Sequence, residues 1–140
     1  MFCKKCGNIC PDGAAFCGSC GTALSREKPQ VGFPDAIRLF FTRYADFKGR
    51  SRRSEYWYAS LFTTLVGFLI GLILPDIVPI WSLAILCPSL ALCVRRLHDV
   101  GKSGWWYLAG FIPLVGLILL LIWFAKDSTE DNIWGPNPKF

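Results

Sequence analysis

Three long apolar runs without a single charge constrain this chain more than any other feature. They are WYASLFTTLVGFLIGLIL at 57–74, IVPIWSLAILCPSLALCV at 77–94 and WWYLAGFIPLVGLILLLIWFA at 105–125. Wound as α-helices, the shorter two extend about 27 Å, close to the hydrocarbon thickness of a bilayer. A soluble domain built on three such runs would expose more apolar surface than water tolerates, and the chain as a whole is 53% hydrophobic. Trp57, Trp81, Trp105, Trp106 and Trp123 stand near run ends, where indole rings anchor helices at the lipid–water interface. Pro79, Pro88 and Pro113 bend or tighten such helices rather than end them, and Gly67-x-x-x-Gly71 offers a close-packing face. The reading is a mainly α, polytopic helical membrane domain with three spans.

The placement of the net charge of +5 sets the expected topology. Arg38, Arg43, Lys48, Arg50, Arg52 and Arg53 precede the first run, whereas the Pro75-Asp76 connection has no cation. Arg95, Arg96 and Lys102 separate the second run from the third, and Lys126 and Lys139 follow it among Asp127, Glu130 and Asp131. The positive-inside rule then puts the N-terminus in the cytoplasm, the first turn out, RRLHDVGKSG in, and the tail out. Residues 1–20 have no apolar h-region, so targeting to the membrane falls to the first span.

Seven cysteines in 140 residues invite a disulfide reading, but their spacing argues for metal. Cys3, Cys6, Cys17 and Cys20 form two C-x-x-C-G knuckles, with Gly7 and Gly21 supplying the backbone freedom each turn wants. Ten residues separate the pairs, room for a short hairpin turning at Pro11-Asp12-Gly13 around one tetrahedral ion. A unit of two dozen residues cannot bury a self-sufficient core, so a structural Zn2+ supplies the folding energy. Metal-binding thiolates need a reducing compartment, which independently places the N-terminus in the cytoplasm. Residues 1–24, including Phe16 before the third ligand, resemble the short zinc-ribbon domain that begins many prokaryotic proteins. Cys10 stands where such ribbons carry an apolar residue and reads as a small buried hydrophobe rather than a fifth ligand.

The remaining boundaries follow from composition: a polar linker at 25–33, an amphipathic helix at 34–50, the transmembrane domain at 51–126 and a polar tail at 127–140. Ile37, Phe40, Phe41, Tyr44 and Phe47 share one face of the 34–50 helix. That face suits either the headgroup boundary, as an interfacial helix, or the protein's own bundle. The basic segment GRSRRSEYW at 49–57 serves either as a headgroup site or simply as a topology signal.

RRLHDVGKSGWW at 95–106 carries the only histidine of the chain. A phosphate loop requires glycine five positions before Gly101, where Arg96 stands instead. His98 and Asp99 are adjacent and diverge on a helix, and no nucleophile accompanies them. Arg95 and Asp99 are spaced to pair at i, i+4, Gly101 and Gly104 to break the helix, and Trp105-Trp106 to anchor the next one.

FKGRSRRSEYW, RRLHDVGKSGWW and the NIWGPNP of the tail resemble the landmarks of a bacterial inner-membrane family known as domain of unknown function 805, over roughly residues 36–140. The resemblance implies a small polytopic inner-membrane protein, offers no catalytic residue, and puts Arg50, Arg53, Glu55, Arg95, Arg96, His98, Asp99, Trp105, Asn132, Gly135 and Pro138 at motif positions. Arg50, Arg53, Glu55, Arg95, Arg96, His98, Asp99 and Asn132 then form an expected polar cluster at the cytoplasmic interface. Contact between Asn132-Ile133-Trp134-Gly135 and RRLHD would put both on one side, against a simple third crossing.

The expected function is a membrane-anchored interaction or regulatory protein with the ribbon as cytosolic docking module. Its partners are the bilayer, through anionic headgroups, and a protein not identified by the sequence. The alternative is an oligomeric small-solute channel or transporter component, against which the uncharged spans count. Lys4 and Lys5 with Asp12 make a thin charge balance for nucleic acid. No catalytic constellation marks an enzyme.

Overall fold

In the computed structural model the chain divides into two compact units, one around the N-terminal cysteines and ending at Pro29, the other spanning Gln30–Lys139. The structure describes residues 2–3, 5–11, 14, 16–22, 24 and 28–139. Lys4, the Asp12-Gly13 turn and residues 25–27 of the linker lie outside the described residues. Within them no strand forms, only isolated bridge residues, among them the pairs Phe2–Ile9 and Asn132–Gly135.

The second unit is helical. Its first helix, α1 (Phe33–Thr42), carries Pro34 and Asp35 in its first turn, where a missing N–H and a carboxylate suit a helix N-terminus. It is shorter than the expected 34–50 helix. Arg43 leaves helical geometry, and the Asp46 carboxylate organises a loop by accepting from Arg43 Nε at 2.9 Å and the Lys48 N–H at 3.0 Å. Of the two settings expected for the aromatic face, Phe40 takes the bundle, packing with Ala59 and Leu92, while Phe41, Tyr44 and Phe47 stay exposed.

Two helices among the described residues are long and apolar enough to cross a membrane. Helix α2 (Arg53–Ile73) ends before Pro75, a 3₁₀ turn at Pro75–Ile77 follows, and α3 (Val78–Asp99) starts with Pro79 in its first turn. Gly67 of α2 lets the helices approach closely, since a Cβ there would sit 3.3 Å from Trp81 Nε1. The hairpin returns the end of α3 to the start of α2, where Ser51 N–H donates to the Arg95 carbonyl at 3.2 Å. At that end Gly101, with φ of 74°, closes α3. Lys102 N–H reaches the Leu97 carbonyl at 2.9 Å and Gly101 N–H the His98 carbonyl at 3.0 Å, a Schellman motif.

The third apolar run departs from expectation. Instead of one crossing helix it forms a 3₁₀ segment, Gly104–Phe111, and a separate helix α4 of 11 residues, Val115–Ala125. An α-helix of that length reaches about 16 Å, roughly half a hydrocarbon core. Pro113 and Leu114, the latter at φ 63°, break the run, and α4 folds back on the 3₁₀ segment. Gly116 permits the reversal: a Cβ there would fall 1.7 Å from the Ala109 carbonyl oxygen. The tail consequently emerges beside the end of α3, with Thr129 N–H donating to the Asp99 carbonyl at 3.2 Å. Three full crossings would have carried it to the opposite end of the bundle.

Candidate functional site

Where α2 begins, α3 ends and the tail returns, guanidinium groups tie the chain together. Arg50 lies in the loop before α2, with its side chain 1% exposed. Its Nε donates to Asp99 Oδ1 at 3.0 Å, Nη1 to the Glu130 and Gly135 carbonyls at 3.0 Å each, and Nη2 to the Asp99 and Thr129 carbonyls at 3.0 and 2.6 Å. With Thr129 Oγ1 also 3.4 Å from Nη2, five N–H groups face six acceptors, the full capacity of an arginine and beyond that of a lysine.

Asp99 is wholly buried, and its second oxygen accepts from Arg96 Nη1 and from Ser128 Oγ at 2.7 Å. Arg96 also donates to the Phe124 carbonyl from Nε at 3.2 Å and from Nη2 at 3.1 Å, and to the Lys126 carbonyl. These oxygens end α4, so Arg96 caps carbonyls that have no partner within that helix. Arg95, the next residue on α3, turns the other way. Its Nη1 donates to the Arg43 and Asp46 carbonyls at 3.1 and 2.5 Å, beyond the end of α1, and its Nε donates to Ser51 Oγ at 2.9 Å. Ser51 in turn donates to Glu55 Oε1 at 3.0 Å, and Glu55 lies 3.5 Å from Arg95 Nη2, which has no hydrogen-bond partner.

Among the described residues Arg50, Arg52, Arg95 and Arg96 are buried, and Glu55 and Asp99 are the buried groups of opposite sign. The ends of α1 and α4 make up part of the difference, because helix C-terminal carbonyls carry partial negative charge. His98 stacks flat on Trp134, centroids 3.7 Å apart and rings 3° from parallel, and its Nδ1 lies 3.2 Å from the Gly49 carbonyl. Asn132 Nδ2 donates to the His98 carbonyl at 2.9 Å. At the rim, burial pushes the Asp46 carboxyl up, but Arg43 and the Lys48 N–H outweigh it and hold it below the usual range. The Lys139 ammonium does the same for Asp127 from 2.6 Å.

In the first unit the Sγ atoms of Cys3, Cys6, Cys17 and Cys20 all lie within 4.8 Å of one another. The two knuckles repeat one geometry. Gly7 and Gly21 adopt φ of 70° and 66°, and their N–H groups donate to the Cys3 and Cys17 carbonyls at 2.9 and 2.8 Å. Cys3 and Cys20 sulfurs stand 3.5 Å apart, Cys6 and Cys17 sulfurs 3.6 Å. Disulfide bonds, at about 2.0 Å, are absent, and the spacing approaches the edge of a tetrahedron with ~2.3 Å metal–sulfur bonds. The backbone N–H groups of Cys20 and Ser19 draw the Cys17 thiol down to about 6, while the Cys6 thiol, despite a backbone hydrogen bond from Asn8, is pushed up to about 12 by the Cys20 thiol and burial. Cys10 is buried among Cys3 and Cys17 but does not join the four. The residues are those a structural metal requires: four soft donors, able to converge on one ion.

Residues 44–136 match the family described as Protein of unknown function (DUF805). The inner membrane protein YhaI of Escherichia coli K12 is 42% identical over 105 residues, which cover 69% of this chain and 89% of that protein. The chain belongs to the DUF805 family. The inner membrane protein YhaH of the same strain is 32% identical over 108 residues, with the same coverage of each chain. No solved structure matches. A membrane protein of the DUF805 family, this chain places its four-cysteine group outside the matched region.

Within the DUF805 region, Arg50, Glu55, Arg95, Arg96, His98, Asp99 and Asn132 come together. Arg53 does not: it starts α2 and is exposed, as is Trp105. The expected Arg95–Asp99 pair does not form either. Asp99 faces Arg96 and Arg50, while Arg95 is turned toward Ser51 and Glu55. Sequence reasoning passed over Ser51, Ser128 and Thr129, although Ser51 at four residues from Glu55 carried a usable spacing signal. The carbonyl acceptors carry no signal, since every residue has one.

Proposed function

We propose that this DUF805 protein is a multi-pass protein of the bacterial cytoplasmic membrane with a cytoplasmic N-terminus. It works as a membrane-anchored interaction or regulatory protein through a zinc-loaded N-terminal docking module. The observation that carries this reading is the convergence of Cys3, Cys6, Cys17 and Cys20 in a unit compact apart from the helices. Zinc held by these thiolates supplies the folding energy that so small a core lacks. Around it Phe2, Ile9 and Phe16 are 71%, 74% and 65% exposed, an apolar outer surface suited to a protein partner.

The orientation draws on two independent supports. Thiolate ligands persist in a reducing compartment, and cations gather at one end of the α2–α3 hairpin while the Pro75–Ile77 turn has none. At that end Lys48, Arg53 and Lys126 are exposed and suit anionic headgroups, each contributing about 1 kcal/mol near such a surface. His98 and Asp99 are engaged by Trp134, Gly49, Arg50, Arg96 and Ser128, which favours a structural use of both over a catalytic one. The uncharged interiors of α2 and α3 weigh against a channel or transporter component.

Crosslinking in native membranes, followed by capture of the full protein and of a Cys17→Ser, Cys20→Ser variant, tests the docking role. The variant should lose specific partners while remaining in the membrane fraction. Identical partner sets would sink the proposal.

A further inference from the structure

We infer that residues 104–125 form a half-depth hairpin, seated in the hydrocarbon of the leaflet that adjoins the arginine cluster and entering and leaving it on one side. The inference rests on the membrane location proposed above and adds a lipid-facing surface to it.

Both feet of the hairpin stand at one polar end. Gly104 follows the Schellman turn of α3, and the last turn of α4 is held by Arg96 through the Phe124 and Lys126 carbonyls. The two legs match in length. Eight residues of 3₁₀ helix rise about 16 Å, as do eleven of α-helix, each close to half of a ~30 Å hydrocarbon core. Neither leg can cross, and equal legs set the tip near the bilayer midplane.

The side chains suit that position. No charge occurs between Gly104 and Ala125, and tryptophans stand at both feet, Trp105 on one leg and Trp123 on the other. At the tip Phe111 and Leu114 are 81% and 73% exposed, with nothing polar to repay contact with water. The exposed outer face of α2, through Leu61, Leu65, Phe68 and Leu72, offers the same apolar chemistry to the surroundings.

The backbone is the stricter criterion, because hydrocarbon penalises any unpaired polar group and irregular chain is the hardest case. Here the carbonyls of Ile112, Pro113 and Leu114 accept the N–H groups of Gly116, Val115 and Ile118 at 3.0, 2.8 and 3.1 Å. Ile112 N–H donates to the Ala109 carbonyl at 2.9 Å and Pro113 has no N–H to satisfy, which leaves the Leu114 N–H as the one donor of residues 112–116 without a backbone partner among the described residues. A solvent loop has no need to answer its tip carbonyls internally; a tip in lipid does.

Single cysteines at Arg53, Asp76, Ile112, Leu114 and Asp127 test the arrangement in whole cells and inverted vesicles. A membrane-impermeant maleimide is applied from either face, and the modified site is read by peptide mass spectrometry so that native thiols do not interfere. Arg53→Cys and Asp127→Cys should react from one face and Asp76→Cys from the other. Ile112→Cys and Leu114→Cys should react from neither until detergent is added. In purified protein in lipid vesicles, nitroxides at the two tip sites should relax with oxygen rather than with a water-soluble nickel complex. A tip reactive from either face, nickel-dominated relaxation, spin–spin broadening from a second copy, or Asp127→Cys on the Asp76 side would overturn the hairpin. If Arg53→Cys and Asp76→Cys react from the same face, it is the membrane-spanning reading itself that fails.

Discussion

The cysteine unit and the arginine cluster are both small knots of side chains, and they hold the chain by opposite means. In the first, four sulfurs contributed by two C-x-x-C turns lie within 4.8 Å, and the ligands span only residues 3–20. In the second, Arg50 reaches a carbonyl 85 positions away, and no metal is needed because guanidinium N–H groups meet fixed acceptors. The first would gain its strength, on the zinc loading proposed above, from an ion added to a short loop. The second gains it from geometry that exists only once α1, α2, α3, α4 and the tail have assembled.

Metal removal should separate the two most sharply. If the unit carries zinc as proposed, a chelator withdraws an apparent binding free energy of about 10–16 kcal/mol from a unit with little else to fold it. Residues 1–29 should become protease-sensitive, with loss of zinc by atomic emission, while the tail stays protected. Tail cleavage rising in step would mean that the two knots are not independent.

The converse variant is Arg50→Lys. It keeps the charge, but three donors on a flexible stem cannot meet Asp99 and four carbonyls. Hydrogen bonds from a charged donor contribute about 1.5–3 kcal/mol each, and leaving buried carbonyls unmet forfeits at least that. The expected result is a lowered melting temperature in detergent and trypsin cleavage after Lys126, with zinc content unchanged. A melt equal to that of the unaltered protein would show that the saturated guanidinium is dispensable.

A finer probe is the stack of His98 on Trp134, the contact that seals the tail over α3. Aromatic pairs of this kind contribute about 0.5–1.5 kcal/mol beyond their buried area. Trp134→Ala and His98→Ala should therefore couple by that amount in a double-mutant cycle on thermal stability. Additive single effects would leave the tail held by hydrogen bonds alone, those of Ser128, Thr129 and Asn132 and those that Arg50 donates.

Much of this was legible beforehand because it depends on spacing along the chain. The knuckle cysteines with their following glycines, the two crossing-length apolar runs and the helix stop at Gly101 are all local patterns. The arginine cluster was legible only in part as a set of residues, since Arg53 stays outside it while Ser51, Ser128 and Thr129 join it, and it was not legible as a set of bonds. Arg95 and Arg96 are neighbours in sequence, yet one engages Arg43, Asp46, Ser51 and Glu55 and the other Asp99 and α4. Adjacent positions on a helix point about 100° apart, so their partners depend on which helices lie on either side. The third apolar run misled for a related reason. Its length and hydropathy suit a crossing helix, and the break at Pro113-Leu114 becomes visible only when Gly116 is seen against the Ala109 carbonyl.

By itself, the sequence determined that this is a helical membrane protein of the DUF805 family preceded by a cysteine unit. The family is carried by the FKGRSRRSEYW, RRLHDVGKSGWW and NIWGPNP motifs, and the other properties follow from hydrophobic runs and ligand spacing, which act over a few turns of chain. Only the tertiary structure decided that the last apolar run doubles back and that Arg96, rather than Arg95, holds Asp99. It also decided that the tail lies on His98. Each depends on atoms far apart in sequence competing for the same few donors and acceptors, and that competition is settled by packing.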